Sequence, residues 1–123
     1  MIEKYLLCPE RVRRVPPHFS WVDHRLVRDH HLRHADAKAW ALYLVLVTVG
    51  DEHGLSYYSE ATLGRLLTLG PDEVRAARGQ LVAASLIAHE APLYQVLSLD
   101  PAHPPRSPAP SGHPQPAPPG GAW

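Results

Sequence analysis

An α+β fold, with a helix-turn-helix set against a longer central helix and closed by a short β-hairpin, is what three features of this sequence predict. The first is the stretch from Asp51 to Ile87, DEHGLSYYSEATLGRLLTLGPDEVRAARGQLVAASLI. Its apolar residues Leu63, Leu66 and Leu67, then Val74, Ala77 and Leu81, fall at helical spacing on either side of a break at Thr68 to Gly70. The second is the apolar run within Ala35 to Gly50, and the third is the pair of β-prone runs Leu86 to His89 and Tyr94 to Leu99.

Each element has its own signals. In the central helix, Trp40, Tyr43, Leu44 and Val47 make one apolar stripe, and Leu42, Val45, Leu46 and Val49 make the opposite face apolar too. A helix apolar on both sides must be covered on both sides, so the helix-turn-helix is expected on one face and the N-terminal segment, a sheet or a second subunit on the other. Gly54 suits a left-handed helix C-cap after Asp51, Glu52 and His53, and Leu55 to Tyr58 reads as a short strand. Ser59 is placed to N-cap the first helix of the pair, with Glu60 favoured by the helix dipole. For the second helix Gly70 occupies the cap, Pro71 suits the first position because its missing N–H needs no partner, and Asp72 and Glu73 complete an acidic first turn. Glu90 to Leu93, containing Pro92, is the expected turn of the hairpin.

This order of helix, strand, helix, turn, helix and hairpin resembles the winged helix-turn-helix domains of bacterial replication initiators and small transcription regulators. HADAKAWALYLVLVTVGDEHG is similar to their first helix, LSYYSEATLGRLL to their strand and second helix, and GPDEVRAARGQLVAASLI to their recognition helix with its exit. The flanks FSWVDHRLVRDHHL and YQVLSLD resemble small proteins carried beside transposase or replication genes on bacterial mobile elements. Three departures stand out. Ser85 replaces a common Gly just before the final Leu-Ile pair, and Ser tolerates a left-handed conformation less well. Arg78 stands where a core Leu is common and is expected to snorkel or to pair with a carboxylate such as Asp51 or Glu52. Gly79 lies in mid-helix at a cost of about 1 kcal/mol against Ala, which implies a close approach there.

The chain divides into an arm at residues 1–18, the domain at 19–100 and a tail at 101–123. The tail, PAHPPRSPAPSGHPQPAPPGGAW, has almost nothing to bury, and disorder with polyproline character is expected. The apolar run Ala39 to Val49 is short of the ~20 residues of a membrane span, so no membrane helix is expected. Cys8 is alone, which excludes an intramolecular disulfide and a cysteine-based zinc site, and fits a reducing cytoplasm. Tyr5 to Cys8 runs directly into Pro9 and the charged Arg11 to Arg14, unlike a signal peptide.

Charge bears on function. Lys+Arg and Asp+Glu both total 12, but the arm has more bases than acids and the body more acids than bases. Non-specific DNA affinity comes mainly from Lys and Arg at phosphates, so this body is a weak DNA binder unless its arginines share a face.

The resemblance implies insertion of Pro71 to Ser85 into the major groove of double-stranded DNA. Arg75 then contacts guanine or phosphate, Gln80 addresses adenine, and Arg65 holds the backbone. Arg11, Arg13 and Arg14 resemble basic extensions that follow a DNA backbone or minor groove. The outward side of that helix also carries Asp72, Ala76, Gly79 and Ala83, which suits a protein partner or a homodimer instead, and the hairpin offers His89 but no Lys or Arg. His30 with His34, and His24 with His31, share a face only if that segment is helical, and no further ligand is marked, so no metal is expected. Ser59, Asp51 and His53 lack a nucleophile elbow or an oxyanion pocket, so neither catalysis nor a cofactor is expected.

Overall fold

The computed structural model describes residues 3–100. The expected disorder of the tail falls on residues 101–123 and lies outside the described residues, as do Met1 and Ile2. After a single-turn 3-10 helix at Pro9–Arg11, the chain forms α1 (Arg25–Arg28), a second 3-10 turn (His31–His34), α2 (Ala37–Val49) and β1 (Leu55–Tyr57). It continues through α3 (Glu60–Leu67), α4 (Pro71–Ala83), β2 (Ile87–Glu90) and β3 (Leu93–Val96). The fold is α+β, with helices against one antiparallel three-stranded sheet of order β1-β3-β2.

Capping explains where the helices begin. The Asp36 carboxylate accepts from Ala39 N–H at 2.9 Å and starts α2. Ser59 Oγ accepts from Thr62 N–H at 3.1 Å and starts α3 as expected. Gly70 precedes Pro71 at the start of α4, and Glu73 Oε1 reaches back to accept from Gly70 N–H at 2.9 Å. Between α3 and α4 the turn is closed by Thr68 in the left-handed region (φ 59°) and by Leu69 N–H donating to the Gly64 carbonyl at 2.9 Å. Gly64 has no Cβ to obstruct it: one there would stand 2.7 Å from the Leu69 carbonyl oxygen.

The core lies where α2, α3, α4 and the sheet meet. Leu42, Leu46, Leu63, Val74 and Leu81 are completely enclosed, with Leu86, Ile87 and Tyr94 nearly so. Each such aliphatic side chain stabilises by about 1.5–3 kcal/mol relative to exposure. Leu66 departs from the expectation, with 57% of its surface in water. In α3 the inward residues are Leu63, Gly64 and Leu67, and Leu66 stands about 60° round from Leu63 on the side away from the other two.

In α2 the buried stripe is Ala39, Leu42, Tyr43 and Leu46, which takes residues from both expected faces. The N-terminal segment covers part of the remainder. Leu26 of α1 enters the core, Trp40 Nε1 donates to the Leu32 carbonyl at 3.0 Å, and Ser20 Oγ donates to the Thr48 carbonyl at 3.4 Å. Arg25 fastens this segment by bonding both Asp23 and, at 2.8 Å, Asp100 at the far end of the domain. The Asp23 carboxyl is pulled down to about 2, first by its side-chain bond from Arg25 and then by the Arg25 backbone N–H. Leu44 remains 60% exposed, so the second face of α2 is covered only in part.

Gly54 is not the helix cap. The helix ends at Val49 with Gly50 behind it, and Gly54 sits in the following loop at φ 83°. There β3 passes so close that a Cβ would stand 2.8 Å from the Val96 carbonyl oxygen. The same loop occupies Asp51, whose carboxylate accepts from the His53 and Leu55 amides at 2.8 and 2.9 Å. At the other helix exit, Ser85 takes the left-handed conformation (φ 60°) while Leu86 N–H closes onto the Leu81 carbonyl. A hydrogen-bonded α4 exit thus forms without the glycine.

Candidate functional site

The outward side of α4, the start of α3 and the β2-β3 hairpin form one continuous charged corner. Its centre is Glu60, which faces both arginines of the second helix. Arg75 Nη1 donates to Glu60 Oε1 at 3.0 Å, and Arg78 Nη2 lies 2.8 Å from Glu60 Oε2. Arg75 also bonds Asp72 one turn earlier on its own helix. Arg75 is therefore held between two carboxylates. The Arg78 bond, opposed by partial burial and assisted by Arg75, keeps the Glu60 carboxyl below its usual range.

Arg78 pairs with a carboxylate as expected, but the acid is Glu60 rather than Asp51 or Glu52. The Arg78 side chain leaves 17% of its surface in water, and Nη1 donates to Tyr94 Oη of the hairpin at 3.2 Å. Burial works against the Arg78 charge, but the bonds with Tyr94 and Glu60 outweigh it and hold the guanidinium more firmly protonated than usual. Tyr94 stands opposite His89 in the β2-β3 register, and the two rings lie 4.3 Å apart. Burial, and then the Arg78 charge, pushes the His89 imidazole below its ordinary range. Around these side chains is a surface cleft of about 190 Å³, below the 300–1,000 Å³ usual for small-molecule sites.

Gln80 is committed to the scaffold. Its Oε1 accepts from Asp36 N–H at 2.7 Å and its Nε2 donates to Asp36 Oδ2 at 3.0 Å, tying α4 to the start of α2. Lys38 and Glu73 form a second link between the same helices. Gly79 has nothing within 4 Å of where a Cβ would be, so among the described residues none requires the glycine. Arg65 is exposed on α3, with Nη2 donating to Thr62 Oγ1 at 3.3 Å. Arg11, Arg13 and Arg14 are exposed on and after the first 3-10 turn, and among the described residues none of the three meets a carboxylate.

Of the six side chains expected at DNA, Arg75 is paired with two carboxylates and Gln80 is bonded to Asp36. What the structure brings together is Arg75 with Arg78, Glu60, Tyr94 and His89. A signal for this was present: two arginines at i, i+3 share a helix face, where their mild repulsion favours an acid opposite them. The histidines of the N-terminal segment do not share one helix, since His30 is left-handed (φ 63°) and separates α1 from the 3-10 turn carrying His31 and His34. Among the described residues no three His, Cys, Asp or Glu side chains are grouped to hold a metal ion, and no helix is long and apolar enough to cross a membrane.

No protein-family model, curated protein or solved structure matches the chain.

Proposed function

We propose that this α+β chain is a winged helix-turn-helix and that it works as a protein-interaction module through the outward face of α4. Support for the fold is the order of elements and the β1-β3-β2 sheet, which sets a hairpin directly after the second helix of the pair. The observation that carries the function is the pairing of Arg75 with both Glu60 and Asp72. With Arg75 neutralised and Gln80 tied to Asp36, the face shows exposed Asp72, Ala76, Gly79, Val82 and Ala83. With its charges balanced in ion pairs, that surface offers phosphate no unpaired Lys or Arg among the described residues, whereas a protein backbone packs closely against its small residues.

A photoreactive benzoylphenylalanine at Ala76, introduced into the full-length chain in the cells that make it, tests this. Irradiation is expected to yield protein adducts. Adducts to nucleic acid, without protein, contradict the reading.

A second reading has its own observation. Arg11, Arg13 and Arg14 lack carboxylate partners among the described residues and Arg65 is exposed, so double-stranded DNA in replication, transposition or transcription control would be gripped by these four rather than read by α4.

A further inference from the structure

Residues 3–20 are exposed along their whole length, and Tyr5, Leu6, Leu7, Val12 and Val15 each leave between 52% and 86% of their surface in water. So many large apolar side chains in one segment mark a surface that meets another. Charge identifies the complement. The arm carries Lys4, Arg11, Arg13 and Arg14 against Glu3 and Glu10, whereas residues 18–100 carry ten acids against seven bases. The arm leaves the domain where Ser20 bonds the Thr48 carbonyl, at the C-terminal end of α2. That end has no basic residue in its last turn and is followed by exposed Asp51 and Glu52, which add to the negative pole of the helix dipole. One turn before Thr48, Leu44 is exposed.

We infer that two copies of this chain associate by exchanging arms. The basic, apolar arm of one copy lies along the Leu44 face and the acidic end of α2 of the other, and the reverse contact forms at the same time. Root and receptor of the arm sit at the same end of α2, so a single two-fold rotation satisfies both contacts. Arm and α2 stripe together provide about the 20–30 residues a side that a standard interface uses. The arm's own body is not the occupant, because residues 3–20 remain exposed beside it. This inference holds whether α4 meets protein or nucleic acid.

Cys8, the single cysteine of the sequence, is exposed in the arm, so the full chain accepts a photoreactive maleimide there without substitution. Isotopically heavy and light copies are mixed, irradiated and digested, and mass in solution is followed by light scattering. Twice the chain mass of 13.6 kDa is expected, with cross-links joining heavy Cys8 to light peptides between Leu44 and Glu52. Reversing Arg11, Arg13 and Arg14 together to Glu is expected to weaken the dimer by about tenfold or more, and Leu44→Asp to weaken it as well, both without moving the far-UV spectrum. A monomer at every concentration, cross-links confined to one copy, or a dimer indifferent to the triple reversal overturns the inference. So does a monomeric chain whose labelled arm attaches to added duplex DNA.

Discussion

Asp36 and Gln80 bond each other twice, backbone N–H to side-chain oxygen in one direction and side-chain amide to carboxylate in the other. The residue that caps α2 is thereby fixed to the last turn of α4, and the angle between the two longest helices is set by a polar clamp as well as by the core. Gln80 is the main cause of the lowered Asp36 carboxyl, with the Ala39 amide second.

Gln80→Ala removes both bonds at once. The melting temperature is expected to fall by about 4–8 °C, the equivalent of one ordinary hydrogen bond in a domain of this size. Calorimetry of the full chain checks this, and an unchanged melting temperature contradicts the clamp.

The Arg78 bond to Tyr94 holds the hairpin to α4. Tyr94→Phe is expected to cost about 1 kcal/mol and Arg78→Met about 1–3 kcal/mol. Because the two changes remove the same contact, the double variant should lose less than the sum by about 0.5 kcal/mol or more. Urea unfolding of the four proteins measures this, and strict additivity contradicts it.

His89 makes stability depend on pH in a stated direction. Its imidazole is depressed by burial and then by Arg78, so on acidification the unfolded chain takes up the proton first. Stability is therefore expected to fall as pH drops below about 6.5 and to level off, for this group, once the depressed value is passed. Asp23 acts in a separate window: its contribution is lost only as pH falls below the ordinary carboxylate range toward its lowered value of about 2. Comparing urea midpoints at neutral and mildly acidic pH, His89→Gln should show a smaller loss than the unsubstituted chain. An equal loss removes His89 from the account.

Two glycines should respond with opposite sign. Gly79→Ala meets no neighbour and is expected to stabilise α4 by about 1 kcal/mol. Gly54→Ala must hold a positive φ and push against the Val96 carbonyl, and is expected to cost about 1–2 kcal/mol from the backbone conformation alone. Thermal melts of both variants decide the matter, and a destabilising Gly79→Ala shows that the helix has a close neighbour beyond the described residues.

The elements written in local chemistry were legible. Ser59, Gly70 and Pro71 mark the starts of α3 and α4 by capping rules that act over three or four residues, and the spacing of Leu63, Val74 and Leu81 identifies the side they bury. What sequence could not place depends on partners distant along the chain. Leu66 has the same spacing credentials as Leu67, but a short helix has one inward face and only packing chooses which edge of the stripe it includes. For Arg78 a carboxylate partner was legible but not which one: Asp51 spends its carboxylate on its own loop, and Glu60 is the acid that Arg78 meets. The same holds around the candidate site: Gln80 has the chemistry of an adenine reader, and its bonds to Asp36, 44 residues away, are visible only in three dimensions.

Fluorescence anisotropy of a random duplex, titrated with the full chain and with Arg75→Ala at about 50 mM salt, tests the central claim that the paired Arg75 leaves α4 without a phosphate contact. The expected result is that the two proteins are indistinguishable. Saturable binding that weakens steeply with salt and is lost in Arg75→Ala contradicts the account.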